Sequence, residues 1–216
     1  MRVINAGYEI LSDISPFGTC ELMDIEQAAR TCYRSEDKIL DQAESAKKLV
    51  KRLIESGHEA MLEHGIISVR FTCDRGISHE LVRHRMASFA QESTRYCNYS
   101  KDKFQNECTF IEPPFYQNNT YAREIWYSLC MCAEGSYNEL LNQGFTPEQA
   151  RGVLPNSLAT RIVVTANYRE WRHILKLRTA PDAHPQMREL MIPLLKELKE
   201  RMPVIFDDIL PEEEQV

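Results

Sequence analysis

Residues 67–76 read ISVRFTCDRG, and this short stretch carries the clearest strand signal in the chain. Apolar side chains at positions 67, 69, 71 and 73 alternate with polar ones. Such alternation places every second side chain on the same face, so the stretch predicts a half-buried β-strand. The Asp-Arg-Gly sequence at its end predicts a turn, after which Ser78 can cap a helix that includes residues 79–87.

The remaining sequence predicts further strands and helices around this one. Apolar runs predict strands over residues 3–11 and 158–166. Helical spacing of apolar residues predicts helices over residues 21–34, 41–56, 120–142 and 167–178, and a last helix that contains Pro193. Asp41 is the expected N-cap of the 41–56 helix, and Gly57 is expected to end it. No repeat or Gly/Ser linker divides the chain, so we predict one α+β domain over residues 1–216, with a mostly antiparallel or mixed sheet flanked by helices.

The composition is that of an ordinary globular protein. The 216 residues are 43% hydrophobic and 27% charged. The net charge of −6 argues against a protein that coats nucleic acid, because such binding needs excess Lys and Arg. No apolar run of roughly 18 residues is present, and the N-terminus lacks a signal-peptide core, so we expect a cytoplasmic protein without a membrane partner. Seven cysteines without a CxxC pair indicate reduced thiols.

The densest group of polar side chains lies in residues 83–96, RHRMASFAQESTRY. Arg83, His84 and Arg85 are adjacent, and their charges repel one another unless an anion lies nearby. A planar guanidinium suits phosphate oxygens, and Arg95 could add donors to the same anion. A solvated helix face with surface ion pairs is the alternative interpretation. Because uncharged residues border the Arg-His-Arg run on both sides, we favour a partly buried anion pocket.

Two smaller polar clusters accompany this segment. Residues 58–64, HEAMLEH, resemble a metalloprotease zinc motif only superficially, because position 62 is leucine where the motif needs histidine. We therefore expect no metal there, and each histidine can satisfy a core hydrogen bond or face a cofactor. The other cluster comprises Arg151, Asn167, Tyr168, Arg169, His173, Arg178 and His184. On a helix that begins near Asn167, Arg169 and His173 share one face, although an arginine on such a helix often only extends to solvent.

Taken together, these segments resemble the flavin-dependent thymidylate synthase family. The family signature, Arg-His-Arg followed after seven residues by Ser, is matched by residues 83–85 and Ser93. The histidine cluster stands upstream, and the segments around Arg151 and Asn167 follow in the family's order. The likeness extends over residues 28–186, which is most of the chain.

The resemblance implies an FAD-dependent methyltransferase that converts dUMP to dTMP. Methylenetetrahydrofolate would give the carbon, and NADPH would reduce the FAD that delivers the hydride. Members are homotetramers whose active sites combine residues from several subunits. By position, the residues implied to bind dUMP are Glu80, Arg83, Gln91, Glu92, Ser93, Thr94, Arg95, Arg151 and Arg178. Those implied to contact FAD are His58, Arg83, His84, Arg85, Gln91, Asn167, Arg169 and His173. The chain has no GxGxxG fingerprint, so side chains rather than a Rossmann turn would hold the flavin.

Uracil accepts a hydride poorly unless it is activated, and two residues are expected to act on it. The Pro-Cys-Gln motif of the cysteine-dependent thymidylate synthases is absent, and no Cys has an obvious base beside it. Ser93 has no clear general base among its neighbours, so we expect it to position the substrate through a hydrogen bond. Arg178 is expected to stabilise negative charge that develops at the uracil N3–O2 edge.

Two alternatives from other functional classes remain open at this point. One is a nucleotide- or RNA-binding module that uses the Arg-His-Arg segment without catalysis, and it predicts strong salt dependence and no coloured cofactor. The other is a structural oligomer whose Arg clusters pair with acidic residues across subunits. Binding of FAD is expected only of the enzyme, so it distinguishes the enzyme from these two alternatives.

Overall fold

The computed structural model describes residues 1–40 and 43–210, and the chain divides into two compact units. Unit 1 comprises Met1–Tyr8, Arg70–Arg83 and Phe89–Val163, and unit 2 comprises Glu9–Val69, His84–Ser88 and Val164–Val216. The strands are β1 (Arg2–Ile4), β2 (Gly7–Ile10), β3 (Ile66–Asp74), β4 (Ser88–Gln91), β5 (Thr109–Ile111) and β6 (Ala159–Asn167). The α-helices are α1 (Thr19–Thr31), α2 (Glu44–Glu55), α3 (Arg75–Leu81), α4 (Thr120–Asn142), α5 (Pro147–Ala150), α6 (Tyr168–Arg178), α7 (Pro185–Arg201) and α8 (Pro203–Phe206).

The strands form a four-stranded sheet in the order β2-β3-β6-β4 and a two-stranded sheet of β1 and β5. β1 and β5 pair in parallel, with Val3 opposite Phe110. The α+β class is therefore confirmed. The single strand expected over residues 3–11 is instead two strands that belong to different sheets.

The long strands β3 and β6 are antiparallel neighbours. In unit 1, the Arg75 N–H donates to the Leu158 carbonyl at 3.2 Å. In unit 2, the Ser68 and Thr165 hydroxyls are 2.8 Å apart. Partner numbers rise along one strand as they fall along the other, which is the antiparallel register. The alternating pattern predicted for β3 is confirmed, because Ile67, Val69, Phe71 and Cys73 are all fully buried.

Unit 1 is built around helix α4, whose bounds match the predicted residues 120–142. The Asn119 side chain caps α4 by accepting from the Ala122 N–H at 3.0 Å. Trp126 and Tyr137 of α4 are buried against Phe110, and the Trp126 indole N–H donates to the Ser157 hydroxyl at 3.0 Å. This packing joins α4 to the segments that carry the unit 1 site residues.

In unit 2, helix α1 packs on α2 and helix α6 packs on α7, and the buried Trp171 of α6 donates its indole N–H to the Ile67 carbonyl at 2.9 Å. Gly57 ends α2 in the left-handed conformation, with φ of 70°, as predicted. The predicted cap at Asp41 lies outside the described residues. Gly65 precedes β3, and a methyl group there would lie 1.9 Å from the Tyr168 ring, so only glycine fits.

One helix prediction is wrong, namely the helix over residues 79–87 with Ser78 as its cap. Helix α3 begins four residues earlier than that, at Arg75, because the Asp74 carboxylate accepts from the Ile77 N–H at 2.7 Å. The Ser78 hydroxyl instead donates to the Arg75 carbonyl at 2.9 Å within the helix. The chain leaves α3 at Leu81, so the Arg-His-Arg segment lies in a turn before β4.

Within residues 1–40 and 43–210, no helix combines the length and the apolar character needed to cross a membrane.

Candidate active site

The C-terminal end of α6 and the Arg-His-Arg turn meet in unit 2. The Arg178 Nε–H donates to Nε2 of His84 at 3.0 Å. His84 is buried, with 5% of its surface exposed. Its other ring nitrogen, Nδ1, lies 3.6 Å from a Glu170 carboxylate oxygen, which is longer than a direct hydrogen bond. This arrangement fixes the orientation of the Arg178 guanidinium from one side.

His84 is neutral in this position. Burial, the positive charge of Arg178 and nearby His173 together lower its pKa from 6.5 to about 4. An arginine Nε–H can only donate, so Nε2 of His84 carries the lone pair and Nδ1 carries the proton. The contact with Glu170 is therefore not an ion pair at neutral pH. A neutral acceptor orients Arg178 without cancelling its charge.

The N-terminal end of α6 brings together the other predicted FAD residues of this helix. The Asn167 side chain caps α6, accepting from the Glu170 N–H at 2.8 Å. Arg169 binds Glu63 at 2.6 Å across the surface, with both side chains about half exposed. The His173 ring meets His84 edge-on, with centroids 5.9 Å apart. Asn167, Arg169 and His173 line one polar cavity of about 490 Å³.

His58 lines a second, more apolar cleft of unit 2, of about 390 Å³. It is exposed and directly precedes the 3-10 helix Glu59–His64. The carboxylates of this helix bind arginines of α6, because Glu59 contacts Arg172 at 3.2 Å and Glu63 contacts Arg169. Among the described residues, no group of three or more His, Cys, Asp or Glu could hold a metal.

Arg83 and Arg85 flank buried His84 in the turn, and both are exposed. The Arg83 N–H donates to the Glu80 carbonyl at 3.2 Å as the chain leaves α3. Neither guanidinium forms an ion pair within the described chain, which leaves both charges available to an external anion. Glu80 itself is partly buried on α3.

Gln91 and Glu92 are held inside unit 1. The Gln91 amide donates to the Ser78 hydroxyl at 2.8 Å and lies 3.3 Å from the Thr160 hydroxyl. Glu92 accepts from the Tyr99 hydroxyl at 3.0 Å. The Gln91 side chain thus links the end of β4 to α3 and β6 by hydrogen bonds, and these contacts were not predicted from the sequence.

The rest of the signature lies on the next turn of unit 1. Ser93 accepts from the Arg95 N–H at 3.3 Å, and no histidine is hydrogen-bonded to it in the described chain. Buried Thr94 accepts from an Arg151 guanidinium N–H at 3.0 Å. Arg95 instead binds Glu148 at 3.1 Å on the surface. The hydrogen bond between Thr94 and Arg151 therefore holds both side chains in place before any ligand binds, whereas Arg95 already has a carboxylate partner.

The thiols divide into buried and accessible groups, and all seven are free. Burial raises the pKa of Cys73, Cys108 and Cys130 to about 12, so these three are neutral thiols at physiological pH. Cys97 is partly buried, and it is the cysteine nearest the signature in sequence. A thiolate nucleophile at the three buried positions is excluded by this environment.

Two residues near these groups were not assigned to the site from sequence. Glu170 lies three residues after Asn167 in the sequence, and its position beside His84 depends on the fold. Arg75 appeared only as part of a turn, yet it lines a cavity of about 230 Å³ with Thr94 and Arg151. An arginine directly after a strand was the available signal, although many surface turns share it.

Comparison with known proteins points to one family. The family model described as thymidylate synthase complementing protein matches residues 20–204. Flavin-dependent thymidylate synthase of Corynebacterium aurimucosum is 37% identical over 194 residues, covering 85% of this chain and 78% of that protein. The enzyme of the same description from Mycolicibacterium vanbaalenii is 34% identical over 200 residues, with the same coverage.

A solved structure shares the fold. It is a UMP/dUMP methylase, PolB, from Streptomyces cacaoi bound with 5-Br dUMP, with a TM-score of 0.80. The match covers 96% of both chains at 23% identity, so it supports the fold alone. The family model and the relatives extend over most of the sequence. The chain therefore belongs to the flavin-dependent thymidylate synthase family.

Proposed function

We propose that this protein is a flavin-dependent thymidylate synthase, which reductively methylates dUMP to dTMP. Methylenetetrahydrofolate supplies the carbon, and NADPH reduces the bound FAD. The observation that carries the proposal is the hydrogen bond from Arg178 to neutral, buried His84. This bond holds the Arg178 cation of α6 against the signature turn, and a fixed cation is what a substrate that develops negative charge requires.

The donor set of unit 2 fits a flavin dinucleotide. Arg85 and Arg169 offer guanidinium groups for a pyrophosphate, and the Arg169–Glu63 pair is exposed enough to exchange its partner at small cost. Hydrogen-bonding groups for the FAD rings come from His58, His84, Asn167 and His173. The proposed FAD set also includes Arg83 and Gln91 of unit 1. When bound, the flavin supplies the hydride.

The donor set of unit 1 fits a nucleotide monophosphate. Arg151, Thr94 and Ser93 offer a guanidinium and two hydroxyls for the phosphate, and Gln91 is held in place by Ser78. Glu80, Arg83, Glu92 and Arg95 complete the proposed set. Since Arg95 is bound to Glu148, it must leave that surface pair to contact a ligand.

Arg178 and Ser93 are proposed to act on the substrate. Arg178 would face the uracil N3–O2 edge, where a fixed positive charge stabilises negative charge that develops during reaction. Ser93 would position the substrate by a hydrogen bond, because its hydroxyl is not paired with a histidine base in the described chain. His84, which stays neutral, holds Arg178 and moves no proton at neutral pH.

We also propose that residues 1–216 act as one catalytic domain in a cytoplasmic homotetramer. The family model matches residues 20–204, a range that includes residues of both units, which supports a single functional domain. Subunit sharing would let residues of different copies contribute to one substrate site. Sedimentation velocity on the purified protein tests the assembly, and a monomer that turns over would contradict it.

Anaerobic stopped-flow absorbance tests the reaction itself. We expect a yellow protein whose flavin is bleached by NADPH, faster when dUMP is present, and re-oxidised when methylenetetrahydrofolate is added with formation of dTMP. Arg178→Ala serves as the matched variant that should still bind flavin and bleach. A colourless protein that does not take up FAD, or bleaching without any dTMP, would contradict the proposal.

A further inference from the structure

Glu170 lies in the first turn of α6, yet its carboxylate takes no part in capping the helix. The Asn167 side chain accepts from the Glu170 N–H at 2.8 Å. In a capping box the glutamate side chain returns this bond, but within the described chain the Glu170 carboxylate forms no hydrogen bond. Its side chain is nevertheless only 12% exposed. Withdrawing a carboxylate from water without a hydrogen bond is costly, so this placement calls for a role outside the helix.

The His84 ring lies between Glu170 and Arg178. These two residues of α6 are about two turns apart, on the order of 12 Å along the axis, so their side chains project from one face. Each meets a different nitrogen of the ring. Nδ1 lies 3.6 Å from a Glu170 carboxylate oxygen, and Nε2 accepts from the Arg178 Nε–H at 3.0 Å. The ring therefore has an acceptor on one side and a donor on the other.

The proton of a neutral imidazole can occupy either nitrogen, and only one choice suits Arg178. With the proton on Nδ1, the ring directs an N–H toward Glu170 and offers a lone pair to Arg178. With the proton on Nε2, two N–H groups would face each other and the hydrogen bond to Arg178 would be lost. The group beside one ring nitrogen commonly decides which nitrogen is protonated. At 3.6 Å the carboxylate acts through electrostatic attraction, which burial of both side chains strengthens.

We propose that Glu170 is a positioning residue, which keeps the proton of His84 on Nδ1 and thereby holds the Arg178 guanidinium in place for the substrate. This inference rests on the proposed function, because Glu170 acts through a residue that is proposed to stabilise charge on the uracil. Glu170 itself contacts neither dUMP nor the reacting atoms in this role. His173, whose ring meets His84 edge-on, lies on the same helix and completes the polar surroundings of the ring.

Nitrogen-15 NMR of the histidine rings in the flavin-loaded enzyme measures the tautomer directly, because a ring nitrogen that carries a proton resonates far from one that does not. His84→Asn identifies the signals of His84. We expect the wild type to carry the proton on Nδ1, and Glu170→Ala to move it partly or fully to Nε2. Glu170→Gln retains an oxygen that can accept from Nδ1–H, so it should keep the wild-type form. Glu200→Ala removes an exposed carboxylate of α7 and is the control, which should also keep that form.

Single-turnover flavin oxidation at saturating substrates tests the consequence for Arg178. We expect Glu170→Ala to slow the reaction about ten- to a hundredfold, the range found for outer partners that orient a functional histidine. Glu170→Gln should recover most of the rate. If Glu170 acts through Arg178, the double variant Glu170→Ala/Arg178→Ala should react no more slowly than Arg178→Ala alone. A role independent of Arg178 would make the two losses add.

The NMR spectra can also be recorded without flavin, so the two proposals fail separately. Wild-type protein that forms no dTMP would overturn the proposed function and leave the tautomer measurable. A wild-type His84 with its proton on Nε2, or an unchanged tautomer in folded Glu170→Ala, would overturn the role of Glu170 whatever the activity. Additive rate losses in the double variant would do the same. If Glu170→Ala does not fold, Glu170→Leu removes the acceptor while keeping the apolar stem, and the same comparisons are made with it.

Discussion

Replacing Asp208 with Asn tests how much the buried Arg172 cluster stabilises unit 2. The Arg172 side chain is 1% exposed and binds Asp208 Oδ2 at 2.7 Å, Glu59 at 3.2 Å and the Ile205 carbonyl. It thereby ties the end of α8 to the 3-10 helix that follows His58. Asp208→Asn keeps the shape of the side chain and removes its charge.

The magnitude follows from burial. Removing one partner of a buried ion pair costs about 3–5 kcal/mol, because the other charge is left uncompensated. The Asp208 side chain is 46% exposed, and Glu59 still faces Arg172, so we expect roughly half of that, about 2 kcal/mol of unfolding free energy. For a chain of this length that corresponds to a lower Tm by about 4–8 °C.

Asp207→Asn is the matched control, because it makes the same chemical change at the neighbouring residue. Burial raises the pKa of Asp207, so its charge does not stabilise the fold, and the variant should stay within about 0.5 kcal/mol of wild type. For Asp208, burial would raise the pKa, but the hydrogen bond and charge of Arg172 outweigh it and lower the pKa below 3.8. Its contribution is therefore complete above about pH 4 and disappears as pH falls through the lower folded pKa.

Urea unfolding at fixed protein concentration, followed by the fluorescence of Trp126 and Trp171 together, measures these differences. The gap between Asp208→Asn and wild type should be constant from pH 5 to 7 and should close in stronger acid. Equal stabilities of Asp208→Asn and Asp207→Asn at pH 7 would refute the reasoning.

Three further predictions concern the proposed active site. In single-turnover flavin oxidation at saturating substrates, Arg178→Ala should slow the reaction by about a hundredfold or more, and Arg178→Lys should recover little; a normal rate in Arg178→Ala would leave the residue as a binding group only. Cys97→Ala should retain turnover within roughly tenfold in the same assay, because no thiolate attack is proposed, and a loss of several orders of magnitude would revive it. The folded pKa of His84 is lowered to about 4, so its contribution to stability is complete above pH 6.5 and is lost as pH falls toward 4. Between pH 6.5 and 4, the unfolding free energy of the wild type should therefore fall by on the order of 2 kcal/mol more than that of His84→Asn. An equal fall in the two proteins would contradict the buried neutral histidine.

The sequence predicted those elements whose periodicity and caps agree. The 120–142 helix and the helix from Asn167 to Arg178 were placed within a residue of their bounds, and in the structure an Asn side chain caps the start of each. Strand β3 followed from strict alternation. Near α3, two capping residues lie four positions apart, and local sequence does not distinguish them. Asp74 caps the helix, which therefore ends before the Arg-His-Arg turn.

The sequence indicated which residues belong to the site but not which of them contact one another. The family resemblance identified Arg178 and His84, yet these residues are 94 positions apart, and only the fold places a guanidinium against a neutral imidazole. The lowered pKa of His84 depends on burial, which no local pattern of three adjacent polar residues indicates. The same holds for Thr94 and Arg151, which are 57 positions apart.

Which arginines serve a ligand depends on where the carboxylates lie, and this is a property of the fold. Buried Arg172 is paired with Glu59 and Asp208, so its charge is already neutralised. The exposed pairs of Arg95 with Glu148 and of Arg169 with Glu63 must open before either arginine binds a ligand. Arg75 and Arg151 line a cavity without acidic residues, so an anion that enters gains attraction without first breaking an ion pair. The chain carries more acidic than basic residues, and it nevertheless creates a positive site by placing those carboxylates elsewhere. Net charge therefore excludes general binding of polyanions while leaving room for one well-placed phosphate.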